Sequence, residues 1–270
     1  MDPAILLIGC GKMGMALLNG WLNKNYKKSK IIVIETNNKI CDLLKNKDIS
    51  CYSSLNSYEQ KHENLIVVFA VKPQALDEVL VKLNKIKIIN EEYLSIVAGI
   101  KVEHISKYLG KTKSIYRAMP NIPAEVSEGM TAIFKNDNCI NRYSFFIENL
   151  LNSVGKTVWV NSEKDIDIVT AISGSGPAYF FLLTECLIRI GYSLGLSRDL
   201  SEKLSIQTII GSSELLKVSK KSPEILRNNV TSKGGTTEAA LNILNNNNFE
   251  KILKEAVFAA KKKSEELSKD

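Results

Sequence analysis

The first 160 residues alternate between two hydrophobic periods. Ala4–Ile8 is a continuous apolar run and reads as a strand buried on both faces. Met15–Trp21 follows on a helical period. Ile31–Ile34 is a second β-branched run, Ile40–Leu44 a short helix, Leu65–Val71 a third strand and Leu76–Leu83 another helix. Tyr93–Val97, Ser114–Tyr116 and Met130–Phe134 add strand candidates. Strands alternating with helices make βαβ units. They imply a parallel sheet whose right-handed crossovers lay helices on both faces.

After Val158-Trp159-Val160 the β-branched runs stop. Glu163–Ile172, Pro177–Leu196, Asp199–Ser219, Pro223–Asn228, Thr236–Asn245 and Glu250–Ser268 all read as helices, with Pro177 and Pro223 at first helical positions. The pattern predicts an α/β domain over residues 1–161 and an all-α domain over 162–270. Pro177–Leu196 is the most membrane-like stretch, apolar nearly all round. Glu185 and Arg189 interrupt it four residues apart, which reads as an internal ion pair of a buried soluble helix. Burial between two subunits satisfies such a helix, so a homodimer is expected. The run Asn245–Asn248 reads as a solvated turn between helices.

Composition narrows the class. Hydrophobic residues make up 44% and charged residues 24%, which excludes a disordered tail, a collagen and a mucin-like stalk. The net charge of +7 suits an anionic ligand. The basic clusters Lys27-Lys28-Ser29-Lys30 and Lys261-Lys262-Lys263 carry no interleaved aromatics, so no nucleic-acid partner is expected. Cys10, Cys41, Cys51, Cys139 and Cys186 are odd in number and widely spaced, with no C-x-x-C. Reduced thiols are expected, and no metal site. His62 and His104 have no metal-like neighbours and read as surface or structural residues. Met1-Asp2-Pro3 leads almost directly into a strand without a basic leader, so a cytoplasmic location and no membrane partner are expected.

Candidate chemistry sits in the glycine-rich loops. Gly9-Cys10-Gly11-Lys12-Met13-Gly14 is a G-x-G-x-x-G between a predicted strand and a predicted helix, the context of a dinucleotide pyrophosphate site. Glu35 ends the second strand, where an acid binds adenosine ribose hydroxyls. Thr36 and Asn37 follow it, so NADH is at least as good a fit as NADPH. Ala70-Val71-Lys72-Pro73 closes the third strand, and Lys72 there can reach a ribose or phosphate. Ser173-Gly174-Ser175-Gly176-Pro177 and Ser232-Lys233-Gly234-Gly235-Thr236-Thr237-Glu238 each open a helix with hydroxyls and bare backbone. That combination suits a carboxylate. The alternative is capping alone, with Thr236 or Thr237 as N-cap. No Ser-His-Asp, Cys-His or paired-carboxylate arrangement emerges, and hydride transfer needs none.

Taken together these stretches resemble the Δ1-pyrroline-5-carboxylate reductases, the family that completes proline biosynthesis. The resemblance covers essentially the whole chain. It rests on Ile8–Gly14, Ala70–Gln74, Ala98-Gly99-Ile100, Arg117–Ala124, Gly129-Met130-Thr131, Ser173–Tyr179 and Asn229–Thr237. It implies a Rossmann-like N-terminal domain and an α-helical dimerisation domain. It also implies dimers that often assemble into rings of five, and reduction of the cyclic imine to L-proline by NADPH or NADH. By the same resemblance Gly9, Gly11, Lys12, Met13 and Gly14 hold the pyrophosphate. Ala70, Lys72, Ala98 and Asn121 line the nicotinamide half, with Val71 and Pro73 beside them. Ser232, Gly234, Gly235, Thr236 and Thr237, together with Ser175, hold the substrate, and Thr237 hydrogen-bonds its ring nitrogen. Two positions depart from the family pattern. Lys233 stands where proline is usual, and Glu35 where small hydroxyls or a base are commoner. The alternative readings are a dehydrogenase of another cyclic imine or of a hydroxy acid, for which Lys164 is the nearest catalytic lysine, and a non-catalytic nicotinamide sensor.

Overall fold

The computed structural model describes residues 3–58, 64–86 and 90–268; His62 lies outside them. Strands β1 (Ala4–Ile8), β2 (Ile31–Ile34), β3 (Ser50–Tyr52), β4 (Leu65–Phe69), β5 (Glu91–Ser95), β6 (Ile115–Met119), β7 (Gly129–Lys135) and β8 (Gly155–Trp159) form one sheet in the order β3-β2-β1-β4-β5-β6-β7-β8. Neighbours run parallel except β6 and β7, which pair antiparallel through Met119 opposite Ala132. The expected parallel sheet thus includes one antiparallel pair. Only residues 120–128 connect the two strands, and a parallel crossover needs about a dozen or more.

Helices α1 (Lys12–Asn23), α2 (Asn38–Lys45) and α5 (Asn141–Asn152) cover one face; α3 (Pro73–Leu83) and α4 (Val102–Leu109) cover the other. On β1, Ile5 and Leu7 pack with Leu17, Leu18, Trp21 and Leu151, while Leu6 and Ile8 pack with Leu76, Leu80 and Ile105. Burial on both faces explains why β1 is apolar at every position rather than at alternate ones. Trp21 is buried, and its indole N–H donates to the Leu150 carbonyl at 3.1 Å, joining α1 to α5. Strand β3 and helices α4 and α5 escaped the sequence reading. In the eight-residue α4 only Val102, Ile105 and Leu109 are buried, too few to stand out as a period.

Helix α6 (Asp165–Val169) runs into a π-helical turn (Thr170–Gly174), followed by α7 (Gly176–Ser193), α8 (Arg198–Ser219), α9 (Pro223–Asn229), α10 (Thr236–Asn246) and α11 (Phe249–Leu267). The sheet ends at Trp159, where the hydrophobic period changes. The compact units divide later: residues up to Ser175, with the chain end from Ala260, form the first, and Gly176–Ala259 the second. Two polar clamps hold α6 and the end of α11 in the first unit. Glu163 Oε1 accepts from the Arg117 guanidinium at 2.9 Å and from the Val102 N–H at 2.8 Å; Arg117 is buried. The buried Asp167 accepts from the Ser264 hydroxyl at 2.7 Å.

In the second unit the expected burial of α7 is not met within one chain. Phe181 is 65% exposed, and Phe180, Leu182, Leu183, Leu187 and Ile190 are also exposed. Glu185 and Arg189 do pair, at 3.5 Å, on the helix surface. Helix α7 packs against α8, where Gly191 meets Ser201.

The cysteines require a correction. Cys41 of α2 and Cys51 of β3 form a disulfide with their Cα atoms 5.4 Å apart, whereas reduced thiols were expected. Packing α2 onto β3 brings the two together, a proximity that sequence spacing does not reveal. Cys10, Cys139 and Cys186 are free thiols. His104 pairs with Asp77 at 2.6 Å. Among the described residues no three His, Cys, Asp or Glu side chains converge as a metal site.

Candidate cofactor and substrate sites

The strand order reverses between β1 and β4, and the crevice beyond their carboxyl ends is where an open α/β sheet binds ligands. A cavity of about 380 Å³ lies there. Gly9 leaves β1 at φ +91°, a conformation costly for any residue with a Cβ. A Cβ on it would also lie 2.7 Å from the Ala70 carbonyl oxygen, and one on Gly14 would lie 2.4 Å from the Gly9 oxygen. These two glycines let the loop fold tightly against the end of β4.

Gly11 differs. A Cβ there would meet nothing within 4 Å. It is the N-cap of α1 and offers no side-chain cap, so the first-turn N–H groups of Lys12, Met13 and Gly14 have no acceptor within the helix. Open space beside a helix N-terminus fits a pyrophosphate. The residues present therefore fit a dinucleotide.

Glu35, at the end of β2, lines the cavity with Thr36. Its Oε2 accepts from the Cys10 N–H at 2.7 Å and its Oε1 from the Asn37 N–H at 2.8 Å. The carboxylate thus ties the glycine loop to the end of β2. Asn37 points elsewhere, accepting from the Lys39 N–H at 3.0 Å to cap α2. Burial, then the neighbouring Glu35 carboxylate, pushes the Cys10 thiol up to about 12. Cys10 is consequently neutral and is no nucleophile.

Ala70, Val71 and Lys72 line the same cavity, Lys72 as the exposed N-cap of α3 with Pro73 at its first position. The lining also includes Ser53, Ser54 and Leu55 after β3 and Ala75 and Val79 of α3, none of which the sequence reading selected as site residues. Ser53 and Ser54 follow the short β3, and recognising that strand would have exposed them.

Ala98 and Asn121 sit further along the same sheet edge, after β5 and β6, outside this cavity. The Asn121 side chain is engaged by protein. Its Nδ2 donates to the Ser173 carbonyl and hydroxyl, each at 3.2 Å, and its Oδ1 accepts from the Met130 N–H at 2.8 Å. It fastens the π-helical turn to the ends of β6 and β7. Ser175 closes that turn, its N–H donating to the Thr170 carbonyl at 2.8 Å.

The remaining candidates gather in the second unit. Gly234 has φ +73°, and the Gly235 N–H donates to the Ser232 carbonyl at 3.0 Å. A Cβ on Gly235 would lie 2.5 Å from the Ser232 hydroxyl. The N-cap of α10 is Gly235, not Thr236 or Thr237 as the capping alternative had it. Both threonines lie inside the first turn, so their hydroxyls are not used as caps. Glu238 closes the loop instead, accepting from the Gly234 N–H at 2.7 Å. The loop therefore presents hydroxyls and helix-terminal N–H groups together, a donor set suited to a carboxylate.

Two known families match separate stretches of the chain. The family described as pyrroline-5-carboxylate reductase dimerisation matches residues 163–267, and the family described as NADP oxidoreductase, coenzyme F420-dependent, matches residues 4–99. The chain is 36% identical to the pyrroline-5-carboxylate reductase of Haemophilus influenzae over 97% of both chains. It is 37% identical to that of Synechocystis over the full length of both. The solved pyrroline-5-carboxylate reductase of Coxiella burnetii matches with a TM-score of 0.91 and 32% identity over all of both chains. The Plasmodium falciparum pyrroline carboxylate reductase, solved with NADP bound, matches with a TM-score of 0.83 and 33% identity over 99% of this chain and 98% of that one.

Proposed function

Since the chain belongs to the pyrroline-5-carboxylate reductase family, we propose a division of labour in which the Gly9–Gly14 loop and its cavity hold NAD(P)H and the Ser232–Thr237 loop holds the imine. The reaction is reduction of the C=N bond of Δ1-pyrroline-5-carboxylate to L-proline, with NAD(P)H as reductant. When bound, the dihydronicotinamide supplies the hydride. The observation that carries the cofactor assignment is the open Gly11 position at an uncapped helix N-terminus on the sheet's switch point.

The protein's work is orientation. A protonated imine is already electrophilic at carbon, so no Lewis acid is required. Holding reacting atoms roughly 3–3.5 Å apart then supplies several kcal/mol of the acceleration. In this reading the Thr236 and Thr237 N–H groups and the Ser232 hydroxyl grip the substrate carboxylate. The Thr237 hydroxyl hydrogen-bonds the ring nitrogen as its charge changes. An ordinary alcohol is too weak an acid to serve as the proton source, so Thr237 orients rather than protonates. Ala98 and Asn121 border the nicotinamide half, Asn121 by holding the Ser173–Ser175 turn.

The enzyme acts on a small molecule as a homodimer. The run Asp165–Ser193 is apolar and long enough to cross a membrane, but its C-terminal half carries the Glu185–Arg189 pair. Its exposed phenylalanines and leucines are read as dimer interface. The proposal extends to a cytoplasmic enzyme without nucleic-acid or membrane partners. Light scattering tests whether five dimers assemble further, since a decamer has ten times the chain mass of 30.0 kDa.

The direct test follows absorbance at 340 nm with Δ1-pyrroline-5-carboxylate and either NADH or NADPH. Loss of absorbance with formation of L-proline is the expected result. Folded protein that binds cofactor and consumes none would overturn the reading.

A further inference from the structure

We propose that the Glu35 carboxylate makes this chain selective for NADH over NADPH, by occupying the place a 2′-phosphate needs; the inference rests on the reading of the β1/β4 cavity as the NAD(P)H site. The position of Glu35 after β2 raises the idea, and its bonding makes it specific. Oε2 accepts from the Cys10 N–H at 2.7 Å and Oε1 from the Asn37 N–H at 2.8 Å. The backbone beneath is held as well, with the Glu35 N–H donating to the Tyr52 carbonyl at 3.0 Å. The charge is therefore anchored on two elements. For the carboxylate to swing away, the N–H of the buried Cys10 would have to lose its partner.

A carboxylate so held still has acceptor capacity on both oxygens. Vicinal ribose hydroxyls have hydrogens to give it. A 2′-phosphate, largely dianionic at neutral pH, brings like charge to a group that cannot retreat. Neither cation that lines the cavity offsets this. Among the cavity-lining residues the cations are Lys72 and Lys82. Lys82 is ion-paired with Glu78 on α3. Lys72 follows β4, which is separated from β2 by β1, roughly 10 Å at the usual strand spacing. Thr36 and Asn37 follow Glu35 where a cation would be needed.

The same geometry gives Glu35 a second task. Through the Cys10 N–H it braces the glycine loop, so a variant should keep an acceptor while losing the charge. Glu35→Gln does so.

The experiment titrates the full-length protein calorimetrically with ADP-ribose and with 2′-phospho-ADP-ribose, which report binding without turnover. The wild type is expected to bind ADP-ribose more tightly by about tenfold or more, as befits like charges a few Å apart at a partly solvated site. Glu35→Gln should reduce that ratio by about the same factor, mostly through tighter binding of the phosphorylated ligand. The ratio of kcat/KM for NADH to that for NADPH should fall in parallel. Wild-type protein that binds 2′-phospho-ADP-ribose as well as ADP-ribose overturns the proposal, and needs no variant to fold. So does a Glu35→Gln ratio equal to wild type, which would shift selectivity to Ser53 and Ser54. Imine reduction with NADPH preferred sinks this inference and leaves the proposed function standing. NADH preference without imine reduction does the reverse.

Discussion

At the scale of single residues, the two motif glycines with opposite surroundings predict opposite mutational outcomes. Gly14 has no room for a side chain, so substitution there damages the fold. Gly11 has open space around it, so Gly11→Val should fold with an unchanged melting temperature and lose NAD(P)H binding, as read by fluorescence titration. Tight binding by that variant would show that the pyrophosphate passes elsewhere. Thr237→Ala removes one hydrogen bond to a charged ring nitrogen. It should lower kcat by roughly 10- to 100-fold while the cofactor dissociation constant stays within about twofold of wild type. Loss of cofactor affinity instead would remove Thr237 from its proposed role.

At the scale of elements, β5 carries a titratable group with no catalytic use. Glu92 is 6% exposed, and its Oε2 has no hydrogen-bond partner. Burial is the main cause that pushes its carboxyl from 4.5 up to about 7; the neighbouring Glu91 adds to the rise and a Ser114 hydrogen bond opposes it. Because the folded-state value is the higher one, the neutral form's stability is fully present below pH 4.5. It is lost as pH rises through 7 and then levels off. Glu92→Gln should flatten that dependence and leave the variant more stable at pH 8 by roughly 2 kcal/mol, with little difference at pH 4. Thermal unfolding at the two pH values checks the sign. A variant less stable at pH 8 would mean that the carboxylate is better solvated than its burial indicates.

At the scale of the whole molecule, one chain leaves a long apolar helix uncovered. Exposed Phe180, Phe181, Leu183 and Leu187 on α7 form more apolar surface than a soluble monomer tolerates. Phe181→Glu should therefore shift the protein toward monomer in light scattering and reduce its activity in proportion. An unchanged dimer with full activity would place the interface on other helices. The excess of basic residues has a smaller part, since it favours anionic ligands over the surface as a whole without selecting one.

The sequence by itself determined what neighbouring residues impose on one another. Runs such as Ala4–Ile8 and Leu65–Phe69 fix strands, the shift of period near residue 161 marks the end of the sheet, and Gly9–Gly14 specifies a turn that only bare backbone can make. The family resemblance was legible in the same way, because its motifs are contiguous. Pairing between distant segments was decided only in three dimensions. The antiparallel β6–β7 pair, the Cys41–Cys51 bond, the Ser53–Leu55 lining and the engagement of Asn121 with Ser173 all depend on which segments meet. Glu35 shows the division most clearly. Its position suggests ribose binding, but its hold on the Cys10 N–H, 25 residues away in sequence, appears only when β1 and β2 lie side by side. Local periodicity follows from covalent neighbours, whereas a site's electrostatics follows from through-space neighbours that packing of the whole sheet selects.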